Sequence, residues 1–354
     1  MKYSLKSCLN LSTFILLIFC PLLLQANESV LFISPYSSEA SPQAISDSTT
    51  MEESVTLIDE HKALTARGND FTVTYMSTHN SGSVSVPFVI NNHLAKAQFD
   101  IVVFNTIIED IINNENSTFV AQATEGAIRK ILSTNLNTKI FYIYSKAEDF
   151  TEAQNQKYQA LKAKVDPILN HYQIESFNIT STSTSLQSAS TLFYDHIKPL
   201  LSSYVNQVTV MMPLAALPRP KDINCFDKAK ILPITKADNI YEFSFVQYKT
   251  PCDYLNFDKI LYSSKPNSRF AYYVLKNLIG LVALTSEKHA SIECRVDGYR
   301  FKNLNFNGST LSPKFFLLYS DLDSGRHYMQ VTSLANSKNR NNSQVSILGI
   351  LANY

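Results

Sequence analysis

The chain has 354 residues, with 31 Lys and Arg against 30 Asp and Glu, a net charge of +1 and 45% hydrophobic residues. So even a balance supplies no basic face and excludes the electrostatic footprint of a nucleic-acid-binding protein. The 19 Tyr and 21 Phe stand beside no Trp; aromatics can line sugar-binding surfaces, but residues of this type mostly fill strands and cores.

In chain order, Lys2 and Lys6 precede the apolar run Leu11 to Leu24, and Leu24-Gln25-Ala26 offers a small residue for cleavage before Asn27, the pattern of a secretory signal peptide. The run is short for a membrane span, which takes about 20 apolar residues; an uncleaved Golgi anchor is the second reading. Residues 1–26 read as the signal peptide, residues 27–204 as an α/β domain and residues 205–354 as a β-sandwich domain. The expected location is outside the cell or the secretory-pathway lumen, with no membrane contact beyond the signal. Asn27, Asn116, Asn178, Asn307 and Asn341 each open an N-glycosylation pattern, which carries meaning only in a source that glycosylates.

The first half alternates strand and helix. Val30 to Ile33 is a short apolar strand, Glu52 to Thr65 has a helical pattern, and Phe71 to Tyr75 alternates as a strand. A helix is expected around Pro87 to Ala97, and the wholly apolar Ile101 to Phe104 reads as a buried central strand. Phe119 to Leu132 is helical and Lys139 to Tyr144 a strand. Tyr158, Leu161, Val165 and Leu169 form one stripe of a helix entered at Asp149. Ile174 to Ile179 is a strand before a helix from Leu186 to Tyr204. Five βα units in succession predict a parallel, flavodoxin-like sheet covered on both faces.

From about Val205 the pattern becomes strand after strand. Val208 to Met211, Tyr241 to Phe245, Gly280 to Leu284, Ala290 to Val296, Phe315 to Tyr319, Tyr328 to Thr332 and Val345 to Leu351 are separated by Pro, Gly, Asn and Asp, which predicts a β-sandwich. Beyond the signal, Cys225, Cys252 and Cys294 remain. One disulfide and one spare thiol is the simplest count, and Cys225 with Cys252 closes a loop of modest entropic cost. No CxxC pair or Cys/His cluster occurs, which argues against a structural zinc site, and no cofactor is implied.

The stretch Phe99-Asp100-Ile-Val-Val-Phe104-Asn105-Thr-Ile-Ile-Glu109-Asp110, with His79-Asn80-Ser81-Gly82 upstream, resembles the SGNH (GDSL-type) hydrolases. Asp297-Gly298, Gly325-Arg-His327 and the last strand bearing Gly349 are similar to the β-sandwich of a eukaryotic, capsule-associated-like branch of that family. The resemblance implies an esterase scaffold with a nucleophilic Ser after the first strand, oxyanion donors from a Gly and an Asn, and a His base before the last helix.

The residues depart from that plan. After Ile33 the chain has Ser34-Pro35-Tyr36, leaving Ser37, Ser38 and Ser48 as weak nucleophile candidates. Gly82 falls at the oxyanion Gly. Glu109 falls at the oxyanion Asn, where a carboxylate repels developing negative charge, and Asn105 substitutes only if the turn is remodelled. Where the His is expected stands the Ser/Thr run from Thr180, and His196 lies inside the helix that follows. Two readings result. One is a degenerate, inactive scaffold that binds a glycan or a cell-surface or secreted protein. The other is an active esterase or acyltransferase on O-acylated carbohydrate with a relocated Ser and His.

Overall fold

The computed structural model describes residues 28–35, 71–78, 81–181, 192–207, 216–248, 255, 257–275, 277–306, 308, 311–323, 325–334 and 344–353. The expected elements at Glu52 to Thr65 and Val208 to Met211 lie outside these.

The first half is the predicted parallel sheet. Strands β1 (Glu28–Ser34), β2 (Phe71–Ser77), β3 (Ile101–Phe104), β4 (Lys139–Ala147) and β5 (Glu175–Ser181) lie in the order β2-β1-β3-β4-β5, all pairs parallel. This is the flavodoxin-like order, whose topological switch lies at β1 and β3. Helices α1 (Gly82–Leu94), α2 (Ile107–Ile112), α3 (Ser117–Thr134) and α4 (Glu152–His171) pack on one face through Leu31, Ile33, Val102 and Phe104. The other face, Val30, Phe32, Val73 and Val103, is covered by a π-helical turn, Phe193–Ile197, running into α5 (Lys198–Gln207). Asn116 caps α3, its side chain accepting from the Thr118 and Phe119 N–H groups, and Thr151 with Gln154 forms a capping box on α4.

The second half is a sandwich of two antiparallel sheets. The near sheet holds β14 (Ser312–Tyr319), β11 (Ile279–Thr285), β16 (Val345–Asn353), β9 (Lys259–Ser263) and β8 (Ser244–Gln247) in that order, with β6 (Ala229–Pro233) also paired to β16. The outer sheet runs β13 (Arg300–Leu304), β12 (Ile292–Val296), β15 (Arg326–Ser333), β10 (Arg269–Leu275), β7 (Asp238–Tyr241). Strand β11 is buried on both sides: Leu281 and Ala283 face the outer sheet, while Val282 and Leu284 join the core beneath α1 and α3. One apolar core therefore continues from the parallel sheet through the helices into the sandwich.

One expectation is corrected. Tyr241 to Phe245 is not one strand: Glu242 takes a left-handed φ of +58° and the chain passes from β7 in the outer sheet to β8 in the near one. Cys225 is buried and its thiol is free; Cys252, the partner expected for it, lies outside the described residues. Burial pushes the Cys225 thiol up to about 12 and makes it inert. Cys294 is likewise free and buried.

Candidate functional site

The C-terminal ends of the parallel strands collect polar side chains that are almost all buried. Strand β1 ends at Ser34, whose carbonyl accepts from the Thr78 N–H at 3.1 Å, and the Thr78 carbonyl accepts from the Ser81 N–H at 3.0 Å. The chain then enters α1 at Gly82, where φ is +54° and a Cβ would lie 2.1 Å from Asp110 Oδ1. Only glycine satisfies both demands.

Glu109 and Asp110, in the first turn of α2, reach across to this entry. Glu109 Oε2 accepts from the Gly82 N–H at 2.9 Å and from the Thr78 hydroxyl. Asp110 accepts from the Ser83 N–H at 2.8 Å and the Ser83 hydroxyl at 2.6 Å. Two carboxylates thus fill the positive end of α1, where N–H groups lack helical partners. Burial pushes Glu109 up to about 7 against the Thr78 and Gly82 hydrogen bonds, and holds Asp110 well above the usual carboxylate range. Glu109 Oε1 is buried with no hydrogen-bond partner.

Asn105 follows β3, its N–H bonded to the Ile33 carbonyl at 2.9 Å. Its Oδ1 accepts from the Ser145 hydroxyl at 2.6 Å, which fixes the amide, and its Nδ2 is buried without a partner. The sandwich reaches the same corner. The Phe315 N–H on β14 donates to Ser81 Oγ at 3.0 Å, and Lys314 Nζ donates to Asn113 Oδ1 at 3.1 Å while lowering the Glu109 pKa through its charge.

The sequence candidates Gly82, Asn105 and Glu109 are therefore brought together. The Gly82 N–H, which the resemblance assigns to an oxyanion, is already donated to Glu109. His196 stands apart, exposed on the helix over the opposite face of the sheet. Ser37, Ser38, Ser48 and His79 lie outside the described residues, as do Asn27, Asn307 and Asn341. Asn116 and Asn178 are exposed, and the Asn178 Oδ1 accepts from Lys162 at 3.1 Å. Thr78, Ser83, Ser145 and Lys314 were not marked by the sequence; each reaches the site from a different element, which no local spacing announces.

No protein-family model matches the chain, and no curated protein matches it in sequence. In structure it is similar to a two-domain esterase (CEX) active on acetylated mannans. The form co-crystallised with mannopentaose superposes with a TM-score of 0.62 at 15% identity over 93% of this chain and 91% of that one. A second structure of that esterase gives 0.58 at 12% identity, covering 80% and 81%. The likeness is one of fold: a flavodoxin-like parallel sheet followed by antiparallel sheets.

Proposed function

We propose that the chain is a secreted, SGNH-like protein that binds a glycan, or a protein partner, and does not hydrolyse esters. The carrying observation is the seat of Glu109. The N–H that would steady a tetrahedral oxyanion is already donated to the internal Glu109 side chain, and above about pH 7, where that carboxyl group is ionised, its negative charge also opposes the transition state. The ligand class rests on the structural neighbour's mannopentaose, carried here by likeness of fold. The expected position is the crevice beyond the carboxyl ends of the strands, at the switch between β1 and β3.

The test is hydrolysis of an activated acetyl ester by the chain from Asn27, beside calorimetric titration with mannopentaose. The expected result is background turnover, unchanged by Ser37→Ala, Ser38→Ala or Ser48→Ala, together with measurable binding. Turnover abolished by one of these substitutions overturns the proposal and identifies the nucleophile.

A second reading, an esterase or acyltransferase on O-acylated carbohydrate, is favoured by Asn105. Its Nδ2 is a donor without a partner, oriented by Ser145, and it could serve an oxyanion in place of the occupied Gly82 N–H. On that reading Asn105→Ala abolishes turnover while Glu109→Gln raises it.

A further inference from the structure

The outer sheet of the sandwich turns a broad face to solvent, far from the chemistry of Glu109. Along β10, Arg269, Ala271 and Tyr273 point outward, registered against Thr332, Gln330 and Tyr328 of β15. Tyr273 is 41% exposed and packs on Tyr328 with ring centroids 5.1 Å apart, and the Arg326 guanidinium lies over the Tyr273 ring at 3.8 Å. Farther across the sheet, Phe301 on β13 is 70% exposed, while Ala271 between the larger side chains is buried and forms a shallow floor.

The charge on this face is unbalanced. Arg295 is engaged by Glu293 at 2.7 Å, but among the described residues neither Arg326 nor Arg269 makes an ion pair. Asp238, on the edge strand opposite Ala271, is the acid that stands against them. A guanidinium stacked on an aromatic ring has lost much of its conformational freedom and presents a planar fork of donors suited to a carboxylate. Arg326 is such a fork with no carboxylate supplied. Arg269 lies six residues along the same ladder, about 20 Å away.

We infer that this face binds an acidic polysaccharide, one bearing uronate carboxylates, along β10 and β15. The complementary charge selects an anion, and the separation of the two arginines selects an extended one. A protein partner needs a desolvated pocket for its anchor side chain, and this face is open and flat. A sugar ring needs no pocket: its C–H face lies on an aromatic ring such as Phe301 or the Tyr273–Tyr328 pair, while its carboxylate meets a guanidinium. The inference is independent of the crevice reading above, since the two surfaces share no residue.

The test is titration of the whole chain with oligogalacturonate, neutral mannopentaose and poly-glutamate, at low and at high salt. Oligogalacturonate is expected to bind with salt-sensitive affinity, and Arg326→Gln and Tyr273→Ala are each expected to weaken it about tenfold or more while the chain still unfolds in a cooperative transition well above the assay temperature. Mannopentaose binding, which reports on the crevice, is expected to be unaffected by either substitution. The inference is overturned if oligogalacturonate does not bind, if both variants bind it as the parent does, or if poly-glutamate binds equally well, which would mean charge attraction alone.

Discussion

Two buried glutamates, sixteen residues apart in sequence, are held in opposite ways. Glu125 on α3 is fully served: Tyr172 Oη donates to Oε1 at 2.8 Å, the Lys221 N–H to the same oxygen, and the Asp222 N–H to Oε2 at 2.9 Å. Glu109 keeps one oxygen without a partner and is pushed up to about 7. A buried carboxylate with both oxygens engaged is a structural fastener, whereas one with an oxygen left unserved marks a place where stability has been given up. The first fastens the segment between α5 and β6 to α3; the second lies at the C-terminal ends of the parallel strands.

The seam around Glu125 is dense. Arg129 pairs with Asp227 at 3.1 Å and donates to the Pro218 carbonyl at 2.6 Å, and Lys130 Nζ donates to the Pro87 and Ala229 carbonyls at 2.5 and 2.7 Å. Gly126 lets the backbone of Phe226 lie against α3, and an added Cβ would sit 2.4 Å from the Phe226 carbonyl carbon. Backbone cannot retreat as a flexible side chain can. Gly126→Val is therefore expected to give the largest loss, at least about 3 kcal/mol in denaturant unfolding or no folded protein. A variant as stable as the parent would mean that the seam is not closed as described.

Glu125→Ala comes next. It strands two backbone N–H groups and a tyrosine hydroxyl in a buried place, and the expected cost is about 3 kcal/mol by chemical denaturation. Glu109→Gln, in the same assay at neutral pH, is expected to change stability by less than about 1 kcal/mol, because the amide oxygen still accepts from Gly82 and a desolvated charge is gone. Equal losses at the two positions would erase the distinction between fastener and site.

The pH dependence sharpens the contrast. Glu109 holds its proton up to about 7, against 4.5 for a free side chain, so over that interval the folded chain binds a proton that the unfolded chain has released. Stability contributed in this way is full at the acid end and falls as pH rises, by on the order of 3 kcal/mol between about 4.5 and 7. Asp110 is shifted in the same direction. Glu109→Gln is expected to flatten the fall, measured by unfolding at about pH 5 and about pH 7.5. An unchanged slope would assign the whole effect to other groups.

Much of the fold was legible because its signals are local. Ile101 to Phe104 and Ile140 to Tyr144 are continuous runs of aliphatic and aromatic residues, and both lie in buried interior strands of the sheet. The start of α1 was misplaced: Pro87 suggested a helix beginning there, yet the helix begins at Gly82, because its first N–H groups are taken up by Glu109 and Asp110. The break of Tyr241 to Phe245 between two sheets was equally hidden, since alternation is the same whichever sheet a residue joins. Motif order singled out Gly82, Asn105 and Glu109, which the fold brings to the same corner of the sheet. It could not reveal that the glycine N–H is already engaged, because that follows from how β2 and α2 approach each other in space.

A modest effect is expected in the sandwich, where a carboxylate has both oxygens engaged as Glu125 does. Asp297 and Gly298, both with positive φ, turn the chain from β12 into β13. Asp297 Oδ2 meets His327 Nδ1 at 2.7 Å, Oδ1 accepts from the Tyr328 N–H at 2.9 Å, and His327 Nε2 lies 2.7 Å from the Asp323 carbonyl. Both ring nitrogens face acceptors, so the charged imidazolium is favoured: His327 is raised by its hydrogen bonds to Asp323 and Asp297 against desolvation, and Asp297 is lowered by those from Tyr328 and His327. The pair's contribution is lost as pH rises through the raised His327 value and as pH falls through the lowered Asp297 value. Asp297→Asn is expected to cost about 1 kcal/mol at mildly acid pH and less above neutrality, where the imidazole is neutral in either chain. A cost that does not diminish with rising pH would mean that the turn, and not the ion pair, carries the stability.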